Sequence, residues 1–123
     1  MKLVRDHIPA LAGAGGQLVA FRQATGAEFG RLLRAKLLEE AAEAASARGP
    51  AELLEELGDV LQVLYALASQ AGLEPAAIEG ARARKARTHG VYTRRLIWQP
   101  APGPAAPLTP RRSLCVSTPP AFT

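Results

Sequence analysis

Disulfides, membrane spans and an aromatic-rich core are all missing from this sequence. Its single cysteine, Cys115, has no internal partner and falls in a tail, so cysteine usage points to a reducing, cytoplasmic setting. No apolar run approaches the roughly eighteen residues that a bilayer-spanning helix needs. The N-terminus also lacks the apolar stretch of a signal peptide, so a soluble intracellular protein is expected. Aromatic residues make up only 5% of the chain although 48% of it is hydrophobic, much of that alanine, which favours helices over a β-sandwich. With 123 residues there is room for one domain and a core of modest size.

Acidic residues are the scarcer charge, 11 against 15 bases, and they are not spread evenly. Seven of them (Glu39, Glu40, Glu43, Glu52, Glu55, Glu56 and Asp59) lie between Lys36 and Leu64. The bases gather further on: Arg82, Arg84, Lys85, Arg87, Arg94 and Arg95 follow one another with no acid between them. A basic chain invites a nucleic-acid reading. Against it, there is no recognisable binding motif and no interleaved aromatic platform. Basic residues beside an acidic cluster fit a small polyphosphate at least as well, with metal on the acids and phosphate oxygens on the bases.

Pro9 and the glycines that follow argue against a long helix near the N-terminus. Gly13, Gly15 and Gly16 read as a plain loop, since no strand-loop-helix context or GK[ST] ending makes them a phosphate loop. Residues 17–24 alternate well enough for a short strand. Thr25-Gly26-Ala27-Glu28 is a capping box opening a helix over 26–47. Gly49-Pro50 breaks the chain and starts a second helix, which runs to about Ala71 and ends at Gly72. So short a connection makes the two helices an antiparallel hairpin. A third, shorter helix follows Glu74-Pro75 and stops near Thr88, and residues 91–98 read as a terminal strand. Seven of the ten prolines fall after Gln99, so 99–123 is expected to be a disordered tail beside a domain at 1–98.

The phasing of the acids within the hairpin is unusual. On the first helix Phe29, Leu33, Leu37 and Ala44 form an apolar stripe, with Glu40 in its middle. On the second, Leu53, Leu57, Val60, Leu64 and Leu67 form the apolar face, with Glu56 on its border and Asp59 one step outside. Glu40 and Glu43 share a helix face, as do Glu56 and Asp59, and like charges at this spacing repel. An ionised carboxylate aimed at a core is costly unless it is paired or binds a metal. Antiparallel packing puts the two acidic pairs at about the same height. Four carboxylates from two helices suit Mg²⁺ or Mn²⁺. The absence of nearby cysteine and histidine counts against zinc, and that of Glu-x-x-His against a di-iron site. The plainer alternative is a solvated acidic hairpin with ion pairs such as Lys36 to Glu40.

EExxE (Glu39, Glu40, Glu43) followed by ExxD (Glu56, Asp59) resembles the signature of the MazG-like all-α NTP pyrophosphohydrolases. Their relatives include phosphoribosyl-ATP pyrophosphohydrolases and dimeric dUTPases. The flanks KLVRDHIP and KARTHGVYTRRLIW are similar to those of the small single-domain, phosphoribosyl-ATP pyrophosphohydrolase-like branch, and the resemblance covers about residues 2–98. Two positions depart from that pattern: His7 stands where lysine is usual, and Thr88-His89-Gly90-Val91 replaces an Arg-Gly-Gly-Phe type of ending.

The resemblance implies hydrolysis of a nucleoside triphosphate between its α and β phosphorus atoms, in biosynthesis or in removal of aberrant nucleotides. It implies Glu40, Glu43, Glu56 and Asp59 as Mg²⁺ ligands. Glu39 and Glu55 are then adjacent carboxylates to complete the metal shell or position the water. Lys36, Arg82, Lys85 and Arg87 are candidate phosphate contacts, each weighed against an ordinary salt bridge or a solvated basic face. Lys2, Arg5 and Asp6 either border the site or clamp the N-terminus. Tyr92 and Trp98 suit packing better than stacking on a base, and His7 and His89 have no partner spacing for chemistry. Leu54, Leu61, Tyr65 and Ala68 form a second apolar row, which pairing of two hairpins into a four-helix core would bury, so a homodimer is expected. Two other classes fit parts of the pattern: a helical interaction module that needs no metal, and a nucleic-acid accessory protein acting through 82–95 and the tail.

Overall fold

The computed structural model describes residues 1–16 and 19–102, and among these it holds four helices and no strand. They are α1 (Ile8–Ala14), α2 (Gly26–Ala45), α3 (Gly49–Gln70) and α4 (Ala76–His89). The short α1 is what Pro9 permits: in the first turn its missing N–H removes no helical bond, and the glycines beyond Ala14 end the helix after seven residues.

The capping box forms as the sequence predicts. The Glu28 backbone N–H donates to Thr25 Oγ1 at 3.2 Å, and the Thr25 N–H donates to Glu28 Oε1 at 3.0 Å. α2 closes at Ala45, two residues before the expected end, where the Ser46 hydroxyl donates back to the Ala42 carbonyl at 3.0 Å. Three residues then reverse the chain. Gly49 takes φ +79°, a left-handed conformation that a β-carbon would strain, and Pro50 occupies the first turn of α3.

α2 packs against α3 as an antiparallel hairpin. Gly30, near the start of α2, faces the Gln70 side chain at the end of α3, and Glu43 meets Glu56 near the turn. The core is thin: Leu33, Val63 and Ala68 are its buried apolar residues, and Glu40 is buried among the helices as its phasing predicts. The inward face of α3 is rotated from the expected one. It runs through Glu56, Val60, Val63, Leu64 and Leu67, while Leu53 and Leu57 are exposed with Leu54, Leu61 and Tyr65. Ala68, expected in the outer row, is buried instead.

The expected strands do not form. Residues 19–25 and 91–98 carry no strand, and Gln17 and Leu18 lie outside the described residues. β-propensity becomes a strand only when another backbone pairs with it, and a lone two-stranded ribbon is marginal in water. Tyr92 and Trp98 are accordingly exposed rather than packed. No helix among the described residues is long and apolar enough to cross a membrane. The chain divides into two compact units, Met1–Glu79 and the residues from Gly80 onward. The expected tail lies mostly outside the described residues.

Candidate metal centre

Three carboxylates converge in the first unit. Glu40 and Glu43 are brought to one face of α2 by their three-residue spacing, and Glu56 comes from α3 through the antiparallel register. One oxygen from each lies within 4.8 Å of the others. The arrangement is graded in depth: Glu40 is only 8% exposed, Glu56 half-buried and Glu43 open to solvent. Glu40 Oε1 and Glu56 Oε1 are both buried, and neither has a hydrogen-bond partner.

Cations surround this cluster without filling it. Lys36, one turn before Glu40, places Nζ 3.3 Å from Glu40 Oε2 and 3.4 Å from Glu39 Oε1. Burial alone pulls the Lys36 ammonium down, but its bonds and charge contacts with Glu40 and Glu39 outweigh that and raise it overall. The salt bridge that sequence pattern offers for Lys36 is therefore made. Lys2 Nζ reaches Glu39 Oε2 at 3.8 Å. Arg5 Nη2 donates to Asp59 Oδ1 at 2.7 Å. Asp59 thus stands on the face of Glu56 but outside the three-carboxylate cluster, held by the N-terminal segment.

Glu56 records the imbalance. Its carboxyl is pushed above the ordinary range, first by burial and then by the charges of Glu43 and Asp59, a hydrogen bond shared with Glu43, and the charge of Glu40. Among the described residues, five carboxylates (Glu39, Glu40, Glu43, Glu56 and Asp59) face three cations (Lys2, Arg5 and Lys36), two fewer positive charges than negative. Buried acceptor oxygens and a deficit of two charges are what a small divalent cation would satisfy.

The other candidates are placed as follows. Glu55 is exposed on α3, next to Glu56. Arg82, Lys85 and Arg87 are exposed on α4 in the second unit, whereas the cluster is built wholly from the first. Of the flanking Lys2, Arg5 and Asp6, the two cations tie the N-terminal segment to Glu39 and Asp59. The signal that could have singled them out is the pair of cations three apart in an otherwise apolar opening, KLVR.

Among known protein families, the chain matches phosphoribosyl-ATP pyrophosphohydrolase over residues 20–86. The matched stretch contains α2, α3 and most of α4, and with them every carboxylate of the cluster. No curated protein and no solved structure matches the chain. Because the match extends over more than half of its residues and carries the whole acidic hairpin, the chain belongs to the phosphoribosyl-ATP pyrophosphohydrolase family, within the MazG-like all-α superfamily.

Proposed function

We propose that this protein is a Mg²⁺-dependent nucleotide pyrophosphohydrolase. It cleaves the α–β anhydride of a nucleoside triphosphate, of phosphoribosyl-ATP type or an aberrant nucleotide, to a monophosphate and pyrophosphate. The observation that carries the reading is the pair of buried oxygens without a hydrogen-bond partner on Glu40 and Glu56, two carboxylates that converge with Glu43 from the two helices of the hairpin. Family membership supplies the reaction class.

Glu40, Glu43 and Glu56 would hold Mg²⁺, or Mn²⁺ in its place, and Asp59 would join them from the next turn of α3. A cation bound there supplies neutralisation of phosphate oxygens and a lowered pKa for water. Lys36 keeps Glu39 and Glu40 aimed at the site through its two ion pairs, and its ammonium is close enough to the cluster to meet a phosphate oxygen. Glu39 and Glu55, adjacent in sequence to two of the ligands, position the attacking water. Arg82, Lys85 and Arg87 belong to a run of six bases with no acid, a composition that suits phosphate oxygens.

The protein acts as a homodimer. Leu53, Leu54, Leu57, Leu61 and Tyr65 leave α3 with an exposed apolar row, against three buried apolar residues among the described ones, and a second hairpin would cover it. Residues 1–98 form the pyrophosphohydrolase domain, with the Pro-rich 99–123 as a tail beside it.

Pyrophosphate release should be measured with Mg²⁺ across canonical, deoxy, oxidised and phosphoribosyl nucleotides, with Glu40→Gln as control. Release from one substrate class, lost in the variant, is the expected result. No release from any of them, with a melting temperature unmoved by Mg²⁺, would leave the hairpin as an interaction scaffold.

A further inference from the structure

Beside the acidic hairpin, the first unit holds an open groove of about 730 Å³ between the N-terminal segment and residues 21–29. Its volume falls within the range of small-molecule sites, which are mostly apolar and aromatic with a few placed polar groups. Phe21 and Phe29 line it and stay 44% and 36% exposed, although phenylalanine is ordinarily among the more buried residues. Asp6 and Gln23 supply hydrogen-bonding groups along the same lining: an acceptor carboxylate, and an amide that both donates and accepts.

Charge decides which end of a ligand the groove would take. Arg22 also lines it, but Nη1 and Nη2 donate to Glu28 at 2.9 and 2.7 Å, so its charge is already matched. Asp6 repels phosphate. The remaining cation is Arg5, which lines the groove and donates to Asp59 Oδ1, one turn along α3 from Glu56. Arg5 therefore marks the junction between an aromatic, hydrogen-bonding groove and a row of carboxylates. A nucleotide has the same polarity, with a flat heterocycle at one end and phosphates at the other.

We infer that this groove receives the base of the nucleotide, with Phe21 and Phe29 packing on its faces and Asp6 and Gln23 reading its edge. The inference rests on the pyrophosphohydrolase reading for the placement of the phosphates. An Asp6 carboxylate accepts hydrogen bonds, so bases carrying an exocyclic amino group are favoured over uracil. Arg5 is a positioning residue at the boundary.

The test is calorimetric binding of AMP, GMP, CMP, UMP and, as a ligand without a base, ribose 5-phosphate. The protein is the full-length chain in Mg²⁺, and pyrophosphate release is assayed in parallel. At least one amino-bearing nucleotide should bind about tenfold or more tightly than ribose 5-phosphate, and Phe21→Ala should remove that advantage while leaving ribose 5-phosphate binding unchanged. Asp6→Asn, an exposed substitution that leaves the aromatic pair in place, should narrow the gap between amino-bearing bases and uracil. The inference is overturned if no nucleotide outbinds ribose 5-phosphate, or if the advantage survives Phe21→Ala in a protein of unchanged melting temperature. Either outcome alongside normal pyrophosphate release leaves the enzyme reading standing. Base-dependent binding lost in Phe21→Ala, without pyrophosphate release, supports the groove and removes the enzyme reading instead.

Discussion

Glu28 and Glu56 are glutamates on adjacent helices of one hairpin, and their surroundings are opposite. Glu28 sits in the first turn of α2, where it receives two guanidinium N–H groups of Arg22 and the backbone N–H of Thr25. The Arg22 hydrogen bond, followed by the Thr25 N–H, brings its carboxyl down to about 2. Glu56 instead looks across at Glu43 and Glu40, has an oxygen without a partner, and is pushed up. The first acid is fully used in holding a helix start. The second is held against its own electrostatic preference by the packing of α2 on α3, and that difference separates a structural carboxylate from one kept for a ligand.

The substitution with the largest expected effect breaks the contrast at Glu56. Glu56→Gln keeps the shape of the side chain and removes one of the crowded charges. Pyrophosphate release should fall by more than about 100-fold, the upper end of what losing a mere supporting partner of a metal ligand costs. Without divalent ions the variant should melt higher than the parent, and its melting temperature should no longer respond to Mg²⁺. A lower metal-free melting temperature would mean that Glu56 is stabilising as it stands, and the contrast with Glu28 would disappear.

Acidity sharpens the same comparison, because the two shifts have opposite signs. Glu28 has a depressed folded pKa, so its contribution is present above the unfolded value near 4.3 and is lost as pH falls toward about 2. Glu56 has a raised folded pKa, so stability is full below the unfolded value and is lost as pH rises through the folded one. Thermal melts of the metal-free protein should therefore fall off on both sides of a weakly acidic maximum. Glu28→Gln should flatten the acid limb and Glu56→Gln the other. A profile in which Glu56→Gln alters only the acid limb would contradict the raised assignment.

At the other end of the contrast, Thr25→Ala removes the hydroxyl that caps α2. It should cost about 1 kcal/mol in chemical denaturation and leave pyrophosphate release untouched. Loss of activity in a protein that is still folded would mean that the cap and the cluster are coupled along α2.

Which of these features sequence could reveal follows from the range over which each is determined. The capping box, the Gly49-Pro50 break and the inward aim of Glu40 are set within a few residues, by hydrogen-bonding geometry and helical period, and all three are present. The motif pair on the hairpin was legible too, and with it the family. What the sequence concealed depends on distant partners. Leu53 and Leu57 suit an inward stripe by spacing alone, but the rotation of α3 against α2 that buries Val63 leaves them outside. The runs at 17–24 and 91–98 have strand composition, yet composition does not provide a partner strand. Arg5 and Asp59 lie 54 residues apart, and no local pattern connects them.

That long-range pair gives only a small expected stability effect. Arg5 and Asp59 approach to 2.7 Å, but their side chains are 57% and 41% exposed, so water screens most of the attraction. Arg5→Gln should change stability by no more than about 1 kcal/mol, and by less as salt is raised. Lys2→Gln should do less still, since its 3.8 Å contact with Glu39 is longer and the lysine more exposed. The metal response should move the other way. Freed from Arg5, Asp59 becomes available to the cluster, so Arg5→Gln should bind Mg²⁺ at least as tightly as the parent when followed by melting temperature. A clear loss of Mg²⁺ response in that variant would place the N-terminal segment within the structural support of the cluster, with Glu28 and Arg22 on the structural side of the comparison.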